Sequence, residues 1–112
     1  MAVYVGDVFI EMGSVAYYSP QFARGGMSVT FLFYIFALTA GVTNITVTIE
    51  HKNIEDTSWT TLGSGAFTTT GLQAAINGSS VKEMLRIKYV VNATNDYDAV
   101  YMNTLAPVWQ PY

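Results

Sequence analysis

Apolar and polar residues alternate one by one over two long stretches of the chain. In residues 45–51, Ile45, Val47, Ile49 and His51 fall on one side, and Thr46, Thr48 and Glu50 on the other. A period of two with β-branched residues predicts a half-buried strand. The polar cluster Lys52, Asn53, Ile54, Glu55, Asp56 breaks the pattern, and Trp59 opens a second short strand that stops at Leu62 and Gly63. The two make a β-hairpin. Residues 84–91 alternate as well, with Leu85, Ile87, Tyr89 and Val91 against Met84, Arg86, Lys88 and Val90. The apolar run 31–38 (FLFYIFAL) predicts a long strand over 27–40, closed by Gly41. Such a strand is buried on both faces, or buried on one and docked on a partner with the other. It is far shorter than the ~20 residues a membrane-spanning helix needs, so no membrane span is expected.

The remaining pattern fills in around these strands. Residues 3–11 read as a strand, Gly13 as a turn, and 14–19 as a short strand ended by Pro20. Residues 21–26 read as a loop, because Gly25-Gly26 punctuates either kind of element. A strand is expected at 67–70, and at most one helical turn at 72–76, stopped by Asn77-Gly78. Strands over 98–102 and 105–109 complete the chain, the last at a sheet edge because of Pro107. About eight short strands at this turn spacing predict one all-β domain over residues 1–112, an antiparallel β-sandwich or jelly-roll-like fold.

Composition sharpens this picture. Hydrophobic residues make up 51% of the 112 residues and charged residues only 12%, about half the usual charged share. A chain so poorly charged packs tightly or hides surface against a partner. Its net charge is −3, and its five cations (Arg24, Lys52, Lys82, Arg86 and Lys88) form no dense basic stripe in the sequence. Nucleic acid is therefore not an expected partner. No cysteine is present, which removes disulfides and thiolate metal sites. The first residues lack a basic segment followed by an apolar core, so the chain is expected to be made and kept, or assembled, in a cytoplasm.

Candidate chemistry is thin. His51 is the single histidine and sits in phase with the inward face, where a backbone hydrogen bond at the strand end is the expected role. Asp96 and Asp98, with Asn92 or Asn95, have oxygens suited to a cation, but Asn and Asp clusters are also the ordinary material of turns. No catalytic residue, metal or cofactor is assigned. The Asn-x-Ser/Thr sequences at Asn44, Asn77 and Asn92 are attributed to the abundance of Asn and Thr. Trp59, Trp109 and the tyrosines suit core or interface anchoring; stacking on sugars is the alternative.

The run Glu50-His51-Lys52-Asn53, followed by Glu55-Asp56-Thr57-Ser58-Trp59-Thr60-Thr61-Leu62-Gly63, carries a resemblance. Phe22-Ala23-Arg24-Gly25-Gly26 upstream fits the same layout, as do Ser80-Val81-Lys82-Glu83 and Leu85-Arg86-Ile87-Lys88-Tyr89 downstream. From 22 to about 91 the chain resembles capsid auxiliary proteins of tailed bacteriophages, of the decoration or cement class. The resemblance implies a non-enzymatic virion protein that stabilises the phage head from the capsid exterior, binding between major capsid protein subunits as a homo-oligomer, with a trimer favoured. Phe22, Arg24, Lys52, Asn53, Glu55, Asp56 and Trp59 are the expected partner contacts. A carbohydrate-binding or adhesion module, or another phage part such as a head–tail connector, tail or baseplate component, is the alternative.

Overall fold

In a computed structural model, residues 6–11, 16–95 and 97–111 are described, and for 6–11 the backbone alone. The expected turn at Gly13 and the candidate ligand Asp96 lie outside these residues, as do the first residues of both N-terminal strands. The chain is all-β, with antiparallel sheets and no helix among the described residues. Among the described residues there are twelve strands rather than about eight, several of them two residues long.

Sheet A has the order β1-β11-β5-β8, from β1 (Gly6–Glu11), β11 (Ala99–Thr104), β5 (Phe33–Leu38) and β8 (Gly71–Leu72). Sheet B follows β2-β10-β6-β7, from β2 (Tyr17–Tyr18), β10 (Met84–Ala93), β6 (Val42–Lys52) and β7 (Thr60–Phe67), with β3 (Phe22–Ala23) also on β10. Sheet C is β12-β4-β9, from β12 (Val108–Gln110), β4 (Ser28–Phe31) and β9 (Ile76–Ser79).

Two layers result, because β4 and β5 are consecutive and share one inward face. Val29, Phe31, Phe33 and Ile35 are all buried in the same cluster as Ile45, Val47 and Ile49 of β6 and Leu85, Ile87, Tyr89 and Val91 of β10. Sheets C and A thus cover the inner face of sheet B. Full burial of each large side chain here contributes about 1.5–3 kcal/mol. A buried hydrogen bond of 2.7 Å between the Tyr89 hydroxyl and Thr104 Oγ1 ties sheet B to sheet A across this core.

Three expectations need correction. The single strand over 27–40 is broken at Leu32, whose carbonyl accepts the Leu105 N–H at 3.0 Å, so β4 and β5 belong to different sheets. The second hairpin strand does not end at Gly63; it runs on to Phe67, absorbing the start of the strand expected at 67–70. The glycines within it answer close packing rather than turning: a Cβ on Gly63 would lie 2.9 Å from Ile76 Cγ2, and one on Gly65 2.9 Å from Phe67 Cε1. The expected helical turn at 72–76 is absent, and Asn77-Gly78 lies inside β9, where a Cβ on Gly78 would meet Leu62 Cγ at 2.5 Å.

Candidate functional site

Two outer sheet faces carry the side chains that could engage a partner. The outer face of sheet B bears the residues singled out from the sequence, and most of them are occupied with each other. Trp59, half-buried after the β6–β7 turn, is covered by cations: Lys52 Nζ lies 5.2 Å and Arg86 Cζ 4.5 Å from its ring centroid. Arg86 Cζ also stands 4.1 Å from the Tyr18 ring, and Arg86 Nε donates to Glu50 Oε1 at 2.8 Å. These four side chains form a ladder of alternating charge and ring, Lys52–Trp59–Arg86–Tyr18. Trp59 is therefore neither a core residue nor a free ring.

The turn beyond Lys52 is closed on itself. Asn53 N–H donates to Asp56 Oδ2 at 2.9 Å and Asp56 N–H to the Asn53 carbonyl at 3.0 Å. Lys82 Nζ lies 3.7 Å from Asp56 Oδ2. Glu55 is exposed. Arg24 is exposed but donates from Nη1 to the Val81 carbonyl at 2.6 Å. Phe22 leaves the contact set: it is only 8% exposed and its ring sits 6.3 Å from that of Phe31. The segment expected to be a loop pairs there with β10 as β3, which turns Phe22 inward.

His51 is 8% exposed, and its Nδ1 accepts the Lys82 N–H at 3.1 Å. The neutral ring thus carries its proton on Nε2, and burial, with the Lys82 charge nearby, lowers its pKa below 6.5. This is the strand-end role expected for it. Asp98 is 3% exposed and serves as a latch. Its carboxylate accepts Thr39 Oγ1–H at 2.7 Å and the Asn95 N–H at 3.1 Å, which lowers its pKa, the Thr39 hydroxyl first. Those bonds join the β10–β11 turn to the β5–β6 turn. Among the described residues, no group of three or more His, Cys, Asp or Glu side chains could hold a metal ion. No helix there is long and apolar enough to cross a membrane.

The residues that sequence reasoning did not single out stand on the outer face of sheet A. Tyr34 is 40% exposed, Phe36 50%, Tyr101 37% and Leu72 62%. The rings cluster: Tyr34 to Phe36 is 5.0 Å between centroids and Phe36 to Tyr101 5.1 Å. A β-bulge lies within the cluster. In the β5–β11 ladder Tyr101 pairs with Ala37 and Met102 with Ile35, so Phe36 is the inserted residue without a register partner. Leu72 pairs with Tyr34, and on the other side Phe9 occupies the register position opposite Tyr101. The available signal was the alternation itself: with Phe33 and Ile35 inward, Tyr34 and Phe36 must face out.

No known protein family, curated protein or solved structure matches the chain.

Proposed function

We propose that the chain is a non-enzymatic structural protein of a virion, of the capsid decoration type, that stabilises a phage head by docking on major capsid subunits as a homo-oligomer. One observation carries the reading: Tyr34, Phe36 and Tyr101 form an exposed aromatic cluster on the outer face of sheet A. Rigid aromatic rings presented by a sheet are the usual anchors of protein interfaces. The resemblance over residues 22–91 supplies the virion context. Many copies on one shell would add modest contacts into firm attachment.

The same rings argue against sugar stacking as the main role. Phe36 is tilted 53° to Tyr34 and 36° to Tyr101, so they make no flat platform for a pyranose. Trp59 has cations on its ring already.

The test is binding to shells assembled from the major capsid protein encoded in the same genome. The wild-type chain is expected to co-sediment with shells, and Phe36→Ser to lose most of that binding while keeping its thermal midpoint. A chain that ignores shells and stays monomeric would sink the reading, and glycan binding abolished by Trp59→Ala without unfolding would replace it with the carbohydrate one.

A further inference from the structure

The connection between β9 and β10 is held down by side chains from two other segments. Arg24, just after β3, donates its backbone N–H to the Glu83 carbonyl at 3.0 Å and Nη1 to the Val81 carbonyl at 2.6 Å. His51, near the end of β6, accepts the Lys82 N–H on Nδ1 at 3.1 Å. The connection in turn holds the β6–β7 turn. Glu83 Oε1 accepts the Ile54 N–H at 3.1 Å, and Lys82 Nζ lies 3.7 Å from Asp56 Oδ2. Ser80, its first residue, has φ +53°, a left-handed conformation that a non-glycine residue keeps only where its surroundings hold it there.

A neutral imidazole has one nitrogen able to accept a hydrogen bond; the protonated ring has none, whichever way it is turned. Protonation of His51 therefore sets two donors face to face at the Lys82 N–H. The ring is only 8% exposed, where a charge without a partner is costly. Glu50 and Lys52, its neighbours on β6, alternate to the opposite face. Its register partners are uncharged, Thr60 on β7 and Leu85 on β10, and β3 sets Phe22 opposite Leu85. The charged side chains of the segments around it are otherwise engaged. Lys82, whose ammonium opposes a charged ring, is beside Asp56, Glu83 is on the Ile54 N–H, and Arg24 is on the Val81 carbonyl.

We propose that His51 is an acid-operated latch: on taking up a proton it releases the Lys82 N–H, and with it the hold of residues 82–83 on the β6–β7 turn. The lowered pKa of the ring has the matching sign. The closed form binds a proton less readily than an open one, in which the imidazole regains its ordinary value of about 6.5. Acid thus favours opening, and neutral pH closes the latch. The opening is local. Val81 is 1% exposed and donates its N–H to the Met27 carbonyl at 3.1 Å, and neither that bond nor those of Arg24 involves the ring. What is freed is the turn from Asn53 to Asp56, which carries the 70% exposed Ile54 and the exposed Glu55. A protruding surface is thereby fixed in one shape at neutral pH and loosened in acid. The latch is independent of the virion role proposed above.

The experiment is residue-resolved amide exchange by NMR at pH 7.5 and pH 5 on wild type and His51→Asn, with the wild-type ring titrated alongside. Asn keeps an acceptor oxygen near the Nδ1 position and does not titrate. In wild type the protection factor of the Lys82 amide should fall about 5–30-fold between the two pH values, the upper figure being the full linkage of an imidazole titrating about 1.5 pH units above pH 5. The Ile54 and Asp56 amides should follow, with Val81 and the β6–β10 ladder unchanged. The loss should track the ring titration, with a midpoint below 6.5, and be absent in His51→Asn. Unchanged Lys82 protection in wild type, a loss that does not follow the ring, an equal loss in His51→Asn, or a uniform loss across β6 and β10 would each overturn the inference. If His51→Asn does not fold, the wild-type titration alone decides.

Discussion

Replacing Tyr89 by Phe deletes one oxygen from the middle of the sandwich, and the structure sets the size of the effect. The hydroxyl lies 2.7 Å from Thr104 Oγ1; Tyr89 is 2% exposed and Thr104 0%. Removing one partner leaves the other buried without it, which costs about 1–3 kcal/mol. For 112 residues, at an unfolding entropy of ~2.1 cal/mol/K per residue, that lowers Tm by about 4–13 °C. Thr104→Val should cost a similar amount. The double variant should cost clearly less than the two single losses combined, because no unsatisfied hydroxyl remains. Alkaline pH supplies an independent check. Burial pushes the Tyr89 hydroxyl up to about 12 from its usual 10, against a smaller opposing effect of the Thr104 bond. A folded-state pKa above the unfolded one means the stabilisation is complete below pH 10 and is lost as pH rises towards 12. At ~1.4 kcal/mol per pH unit, wild type should lose about 3 kcal/mol relative to Tyr89→Phe across that window. Denaturant titrations of both proteins between pH 7 and 11.5 measure this. Strictly additive single costs, or parallel alkaline profiles, would refute the account of Tyr89 as the bridge between the sheets.

Three further outcomes follow from the same geometry. Because the His51 pKa is lowered in the fold, its contribution is present above pH 6.5 and is lost on acidification below that value; denaturant midpoints at pH 8 and pH 5 should therefore differ more for wild type than for His51→Gln. Gly63→Ala should cost about 1–3 kcal/mol as an overpacking change, since the new methyl would meet Ile76 Cγ2 at 2.9 Å and the backbone carbonyl of Asn77 at 3.2 Å; an unchanged Tm would show that β7 and β9 separate freely. Trp59→Ala removes two cation–ring contacts at a half-buried site and should cost about 1–2 kcal/mol by thermal melt, while leaving shell binding through Phe36 in place.

How far the sequence carried depends on which neighbour decided each residue. Alternation in β6 and β10 could be read directly, because every second residue there, Ile45 to His51 and Leu85 to Val91, faces one core. The same signal was blind to the break at Leu32: Val29, Phe31, Phe33 and Ile35 keep one phase straight through it, and only the lateral partners change, β9 and β12 before and β8 and β11 after. Glycine misled in β7 and β9 for a tertiary reason, since Ile76, Phe67 and Leu62 fill the space of a Cβ at Gly63, Gly65 and Gly78. Phe22 was misplaced because a two-residue strand leaves no period to detect. For the candidate site, the apolar run 31–38 raised the option of a strand buried on one face, and the exposures of Tyr34 and Phe36 match that burial. The bulge at Phe36 could not be read, because it depends on the register between β5 and β11.

That bulge also bears on the proposed assembly role. An inserted residue twists β5 locally and fixes the angle at which its aromatic cluster meets a neighbour. In a homo-oligomer built through this cluster, that angle would help to set whether copies close after a few subunits or climb as a helix. A small closed ring suits a symmetry axis of a capsid, whereas an open stack suits a tail tube. Deleting Ala37 restores plain pairing between β5 and β11 without removing Phe36, so it changes the angle and keeps the chemistry. If the geometry of the bulge sets closure, the deletion should alter the size of the assembly while leaving its salt dependence intact. An assembly of unchanged size would place the control of closure elsewhere in the contact.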